Sequence, residues 1–202
     1  AMYALSVGAT LGAAAVLREA LSGLTVARYS GFEINPRLED VERGLQLCRE
    51  HQPDVVVGVG GGSAMDMAKL LAYCSQSERS PRATILESRA VSHGATPVVA
   101  VPTTAGTGSE ATHFAVVYVD GVKYSVADES MRPQLALIDP GLLAGLPPRI
   151  AAVTGLDALC QATESMWAVA STRESRGFAA QAIPLLWSNL LNTQRAPSAN
   201  VW

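Results

Sequence analysis

Charge is scarce in this chain. Of its 202 residues, 16% are Asp, Glu, Lys or Arg, against about 25% in an ordinary globular domain. The net charge is −3 and no basic cluster occurs, which argues against nucleic acid as a partner. Only three cysteines are present, Cys48, Cys74 and Cys160. They lie far apart, without the C-x-x-C spacing of zinc or redox sites, and read as thiols of a reducing compartment. No uninterrupted apolar run approaches the length of about 20 residues that crosses a bilayer. The apolar opening, Ala1–Leu17, has no basic residue before Arg18 and runs on as a helix through Glu19, unlike a secretory leader. These absences predict a cytoplasmic protein with no membrane span.

What is present is organised around glycine. Val55-Val56-Val57-Gly58-Val59 reads as a strand buried on both faces, as in a parallel sheet. It ends in Gly60-Gly61-Gly62-Ser63, and a helical pattern starts at once over Ala64–Tyr73. Consecutive glycines let a backbone turn tightly and approach a ligand closely. Ser63 is predicted to cap the helix, whose first N–H groups and positive dipole end suit a phosphate. The spacing matches neither Gly-x-Gly-x-x-Gly nor a P-loop, and a turn that binds nothing is the plain alternative. A second loop strengthens the binding reading. The strand Thr96–Val101 runs into Pro102-Thr103-Thr104-Ala105-Gly106-Thr107-Gly108-Ser109-Glu110, placing hydroxyls where open α/β sheets take ligands.

Along the chain, strand and helix patterns alternate: strand Tyr3–Val7, helix Leu11–Leu21, strand Thr25–Tyr29, and helix Leu38–His51 entered through Asn35-Pro36. This alternation predicts a doubly wound parallel sheet of the α/β class. Ser75–Ala95 reads as an irregular surface connection. Asp120-Gly121, between Phe114–Val119 and Lys123–Val126, is a hairpin signal. A short strand at Leu135–Ile138 precedes Asp139-Pro140, and from Pro147 onward the pattern is helical. Both ends read as cut, since the chain closes at Val201-Trp202 just after what looks like a helix start at Ala196–Asn200.

These motifs, taken in order, resemble the iron-containing (group III) alcohol dehydrogenase family. The resemblance rests on Asn35-Pro36 with Asp40 after it, Gly60-Gly61-Gly62-Ser63 with Asp66 and Lys69, the Pro102–Glu110 segment, Ile138-Asp139-Pro140, Leu146-Pro147-Pro148, and Thr154-Gly155-Leu156-Asp157-Ala158-Leu159. It implies a dinucleotide-binding α/β domain over residues 1–146 and the incomplete N-terminal part of a helical metal-binding domain over 147–202. It implies NAD or NADP and a divalent metal, iron or zinc, acting on a small aldehyde or alcohol, and a homo-oligomer at full length. Carried over by position, Gly60, Gly61, Gly62 and Ser63 hold the pyrophosphate, Asp66 lies toward the nicotinamide, Thr103, Thr104 and Thr107 line the adenine and ribose side, and Lys123 reaches the cofactor. Ser30 stands where the family usually has an acid that selects NAD, so NADP is expected to be accepted.

Asp157 matches the family's first metal ligand. Four residues on, where the family has His, stands Gln161, a weaker neutral oxygen donor. Phe114–Ser125 with Leu159–Ala162 and Glu164–Thr172 looks like the branch that includes phosphonoacetaldehyde reductases, in which Gln at that position is usual. Two other readings stay open. One is an enzyme resembling glycerol dehydrogenase or dehydroquinate synthase; the other is a nucleotide-binding fragment without catalysis.

Overall fold

The computed structural model describes residues 2–5, 19, 21–87 and 95–195. The predicted helix at Leu11–Leu21 and the helix start at Ala196–Asn200 fall mainly or wholly outside the described residues. Two compact units form, one from Ala1–Pro102 with Ser109–Ile138 and the other from Thr103–Gly108 with Asp139–Trp202.

In the first unit, five strands make a parallel sheet: β1 (Met2–Leu5), β2 (Ala27–Tyr29), β3 (Val56–Gly60), β4 (Val98–Pro102) and β7 (Leu135–Ala136), in the spatial order β2-β1-β3-β4-β7. Every residue of β3 is buried, as its unbroken valine pattern requires of a central parallel strand. Helix α1 (Leu38–His51) buries Leu38, Val41, Leu45 and Cys48 at helical spacing. Helix α2 (Gly62–Cys74) is buried along most of its length, from Ala64 to Cys74 except for Asp66, so its sequence is apolar nearly all round. Strands β5 (Phe114–Val119) and β6 (Val122–Ala127) form a separate antiparallel hairpin. Its turn is Asp120-Gly121, and both residues have positive φ, 51° and 77°, as a type I′ turn requires.

Two predictions need correction here. The connection after α2 is not irregular throughout, because Pro81–Glu87 forms helix α3. Pro81 opens it with a preset φ, and Thr84 and Ile85 are buried. Seven residues are too few for a helical period to stand out of a polar segment. Ser63 is not the cap of α2. Gly61 takes that place with extended backbone, which leaves Ser63 inside the first turn.

Gly58 shows how closely the first unit is packed. A Cβ at this position would lie 2.9 Å from the Ala68 Cβ and 3.2 Å from the Met65 Cα, and neither neighbour has a flexible end that could move aside. Gly58→Ala should therefore force β3 and α2 apart and cost about 1–3 kcal/mol. A drop in the chemical-denaturation midpoint checks this, and an unchanged midpoint would show the helix free to shift.

Helices α4 (Pro148–Trp167) and α5 (Arg173–Arg195) make up most of the second unit. Among the described residues no helix is long and apolar enough to cross a membrane.

Candidate cofactor site

Strands β3 and β4 are neighbours in register, with Gly60 opposite Pro102. The chain thus leaves both strands at the same carboxyl edge, where open α/β sheets bind ligands. Gly60 has φ of 146°, a conformation open to glycine and strained for other residues. Gly61 then caps α2, whose first N–H groups have no acceptor within the helix itself. The Ser63 hydroxyl accepts a hydrogen bond from the Asn35 backbone N–H at 3.0 Å. That bond ties the glycine turn to the Asn35-Pro36 loop ahead of α1.

Below the turn, two charged side chains of α2 grip the segment that follows the threonine loop. The Asp66 carboxylate accepts from the Ser109 hydroxyl at 2.6 Å and from the Val116 N–H at 3.0 Å. Lys69, fully buried, donates to the Ser109 hydroxyl, the Thr112 hydroxyl and the Phe114 carbonyl, each at 3.0 Å. Its ammonium lies 4.0 Å from the Asp66 carboxylate. Burial raises the Asp66 pKa against the pull of Ser109, Val116, Lys69 and Lys123. Burial lowers that of Lys69 to about 8, against the opposing fields of Asp66 and Glu110, with Arg132 adding to the depression. Both shifts have one cause, the removal of a charge from water.

Asp66, expected toward the nicotinamide, has each oxygen bonded within the protein, and Lys69, Ser109 and Thr112 join it in a network that the sequence reading did not single out. The signal for Lys69 was its position three residues after Asp66, one helical turn on; nothing local marks Thr112. Lys123 lies on the exposed strand β6, near enough to Asp66 for its charge to be felt there. Ser30 immediately follows β2 and is half-buried.

In the second unit, residues Thr103–Gly108 pack on helix α4. Gly106 has φ of 138°, and a Cβ there would fall 2.0 Å from the Thr154 carbonyl oxygen. Only glycine lets the loop approach the helix backbone so closely. Thr103 is 1% exposed, and the Thr103 and Thr104 hydroxyl oxygens are buried without a hydrogen-bond partner. A buried hydroxyl left unpaired costs about 1–3 kcal/mol, so a pair of them side by side fits a polar ligand that completes them. Thr107 has bonding of its own and is half-buried.

Asp157 and Gln161 are one turn apart on α4 and both exposed, so the structure brings them to one helix face. A Cβ at Gly108 would lie 3.9 Å from the Gln161 Oε1, which sets the threonine loop beside this pair. The two supply one anionic and one neutral oxygen, part of a donor set for a hard divalent cation. Among the described residues no three His, Cys, Asp or Glu side chains gather into a metal site.

Comparison with known proteins shows the family. The sequence pattern of iron-containing alcohol dehydrogenases matches residues 4–140. The chain belongs to that family. It is 35% identical over 170 residues to long-chain-alcohol dehydrogenase 1 of Geobacillus thermodenitrificans, which covers 83% of this chain and 43% of that one. It is also 35% identical over 173 residues to alcohol dehydrogenase 4 of Saccharomyces cerevisiae, covering 84% of this chain and 44% of that one. Among solved structures, sulfoacetaldehyde reductase from Bifidobacterium kashiwanohense in complex with NAD+ superposes with a TM-score of 0.92 at 30% identity, over 99% of this chain and 55% of that one. A 1,3-propanediol oxidoreductase superposes at 0.90 with 31% identity, over 99% and 54%. The chain spans about half the length of these relatives or less. In the family's terms it has the nucleotide-binding sheet followed by helices.

The Lys69 grip has a consequence for pH. Its pKa stands near 8 in the folded chain and near 10.5 unfolded. Between those values the unfolded chain binds more protons, so raising the pH favours folding. The penalty of the buried ammonium is fully felt below pH 8 and relieved as pH rises toward 10.5. Relative to Lys69→Met, the unaltered chain should therefore gain stability from pH 8 to 10. Parallel urea-denaturation curves across that range, with a constant difference between the two proteins, would contradict the shift.

Proposed function

We propose that the chain forms the dinucleotide-binding α/β domain, residues 1–146, and the first helices of the metal-binding domain, residues 147–202, of an NAD(P)-dependent oxidoreductase. The reaction is hydride transfer between NAD(P)H and a small aldehyde or its alcohol. The observation that supports this most directly is the pair of buried, unpaired Thr103 and Thr104 hydroxyls; the glycine turn after β3 is a second, separate support. A threonine hydroxyl can donate to a phosphate oxygen or exchange hydrogen bonds with a ribose hydroxyl; the glycine turn offers backbone N–H groups to a pyrophosphate. Gly60, Gly61, Gly62 and Ser63 hold the pyrophosphate, Lys123 brings a cation to the cofactor, and Asp66 and Lys69 fix the segment behind them.

A divalent metal, iron or zinc, held in part by Asp157 and Gln161, supplies a positive charge that polarises the substrate oxygen. Asp157 contributes the anionic donor and Gln161 a neutral one, which orients but holds less strongly. The substrate is read as a short aldehyde with an anionic head group. The Gln161 branch pattern supports phosphonoacetaldehyde, and the structural relative named for sulfoacetaldehyde reduction supports the same chemical class. A homo-oligomer is the expected assembly.

Paired substitutions test the cofactor site. Thr103→Val and Thr104→Val remove the unpaired hydroxyls at nearly constant shape. Each should leave the ligand-free chain as stable or about 1 kcal/mol more stable, and each should weaken NADPH binding several-fold by calorimetry. Lower stability with unchanged affinity would place those hydroxyls in the fold rather than the site.

The metal reading has its own test. Asp157→Ala should abolish retention of added ferrous or zinc ion through dialysis, whereas Gln161→His should increase it, measured as bound metal per chain. If Asp157→Ala leaves metal content unchanged, the metal is held elsewhere.

A further inference from the structure

The edge strand of the sheet, β2, leads to a helix that carries a cation, Arg43. β1 pairs in parallel with both β2 and β3, with Ala4 opposite Tyr29 on one side and Gly58 on the other. Tyr29 and Gly58 are therefore level, and Ser30-Gly31 leaves the sheet at the same edge as the glycine turn, two strand spacings or about 10 Å away. In doubly wound dinucleotide sites this is the region that meets the ribose 2′ position. An acid there binds the 2′-hydroxyl, and an arginine nearby accommodates a 2′-phosphate.

Arg43, on α1, reaches that turn. Its Nη2 donates to the Gly31 carbonyl at 3.1 Å and to the Asp40 carboxylate. Asp40 is almost fully buried, and it also accepts from the Arg37 N–H at 3.2 Å and the Glu33 N–H at 3.5 Å. The Tyr29 hydroxyl donates to the Asp40 backbone carbonyl at 2.6 Å. Asp40 is thus committed to the protein and serves as a fixed base for the guanidinium, not as a ribose ligand. The neighbouring acid Glu33 pairs with Arg37 at 3.0 Å. Arg43 itself is 58% exposed, and a guanidinium has five N–H donors, more than these bonds use.

We infer that Arg43 reads the 2′-phosphate of the cofactor, so that this site selects NADPH over NADH rather than tolerating both. The inference rests on the dinucleotide reading proposed above. Ser30 removes the acid that would repel the phosphate, and Arg43 adds the planar fork that binds it. The turn between β2 and α1 holds that fork one residue beyond Ser30, anchored by Asp40 and the Gly31 carbonyl.

Calorimetric titration of the chain with NADPH and with NADH tests it. NADPH should bind about tenfold tighter, the scale of one charge-assisted contact, and the ratio should shrink as KCl is raised and the charges are screened. Arg43→Gln should erase the preference by weakening NADPH binding more than NADH binding, Arg43→Lys should keep part of it, and Ser30→Asp should turn it toward NADH. Because Arg43→Gln strips Asp40 of its cation, its fold is checked by circular dichroism. If that variant does not fold, the KCl series on the unaltered chain and the Lys variant decide. Equal affinity for the two cofactors, or a ratio insensitive to both KCl and Arg43, overturns the inference and leaves dinucleotide binding standing. Binding of neither cofactor overturns that reading, and the inference with it.

Discussion

The first unit depends on a buried charge that is fully hydrogen-bonded. Lys69 lies inside the first unit with three oxygen acceptors around its ammonium, and Asp66, one turn earlier, receives two donors. Removing either partner would leave a buried charge uncompensated, which costs far more than the net gain of forming the pair. The two side chains stitch α2 to the segment Ser109–Val116. They therefore hold that segment against α2 within the first unit.

From this follows a division of labour among the polar groups. Those of Asp66, Lys69, Ser109 and Asp40 are spent on one another and on backbone, and they hold the frame. Those left incomplete in the second unit are the buried Thr103 and Thr104 hydroxyls. A buried hydroxyl without a partner is a defect in a structural core but ordinary in a binding site. The helical unit follows the same economy. Gly106 admits the loop against the α4 backbone, and Asp157 and Gln161 stay exposed on the helix beside it.

Local pattern determined much of this. The valine run of β3, the spacing of Leu38, Val41, Leu45 and Cys48, and the Asp120-Gly121 turn each carry their structure in adjacent residues, because strand period, helix period and turn conformation are short-range properties. The glycine turn after β3 was legible for the same reason, and the ordered motifs pointed to the family. The short helix α3 was not legible, since seven residues in a polar segment show no period.

Tertiary structure alone decided which polar residues are hydrogen-bonded within the protein. Asp66 and Ser63 take partners 50 and 28 positions away, Val116 and Asn35, and Gly61 rather than Ser63 caps α2. Lys69 could be read as an ordinary helical lysine until its three acceptors, all from beyond residue 108, were in place. Arg43 was one charge among several on an amphipathic helix until the β2 turn folded against it. Sequence specifies which groups are available; which ones remain available is set by long-range packing, because a hydrogen bond made within the protein is no longer open to a ligand.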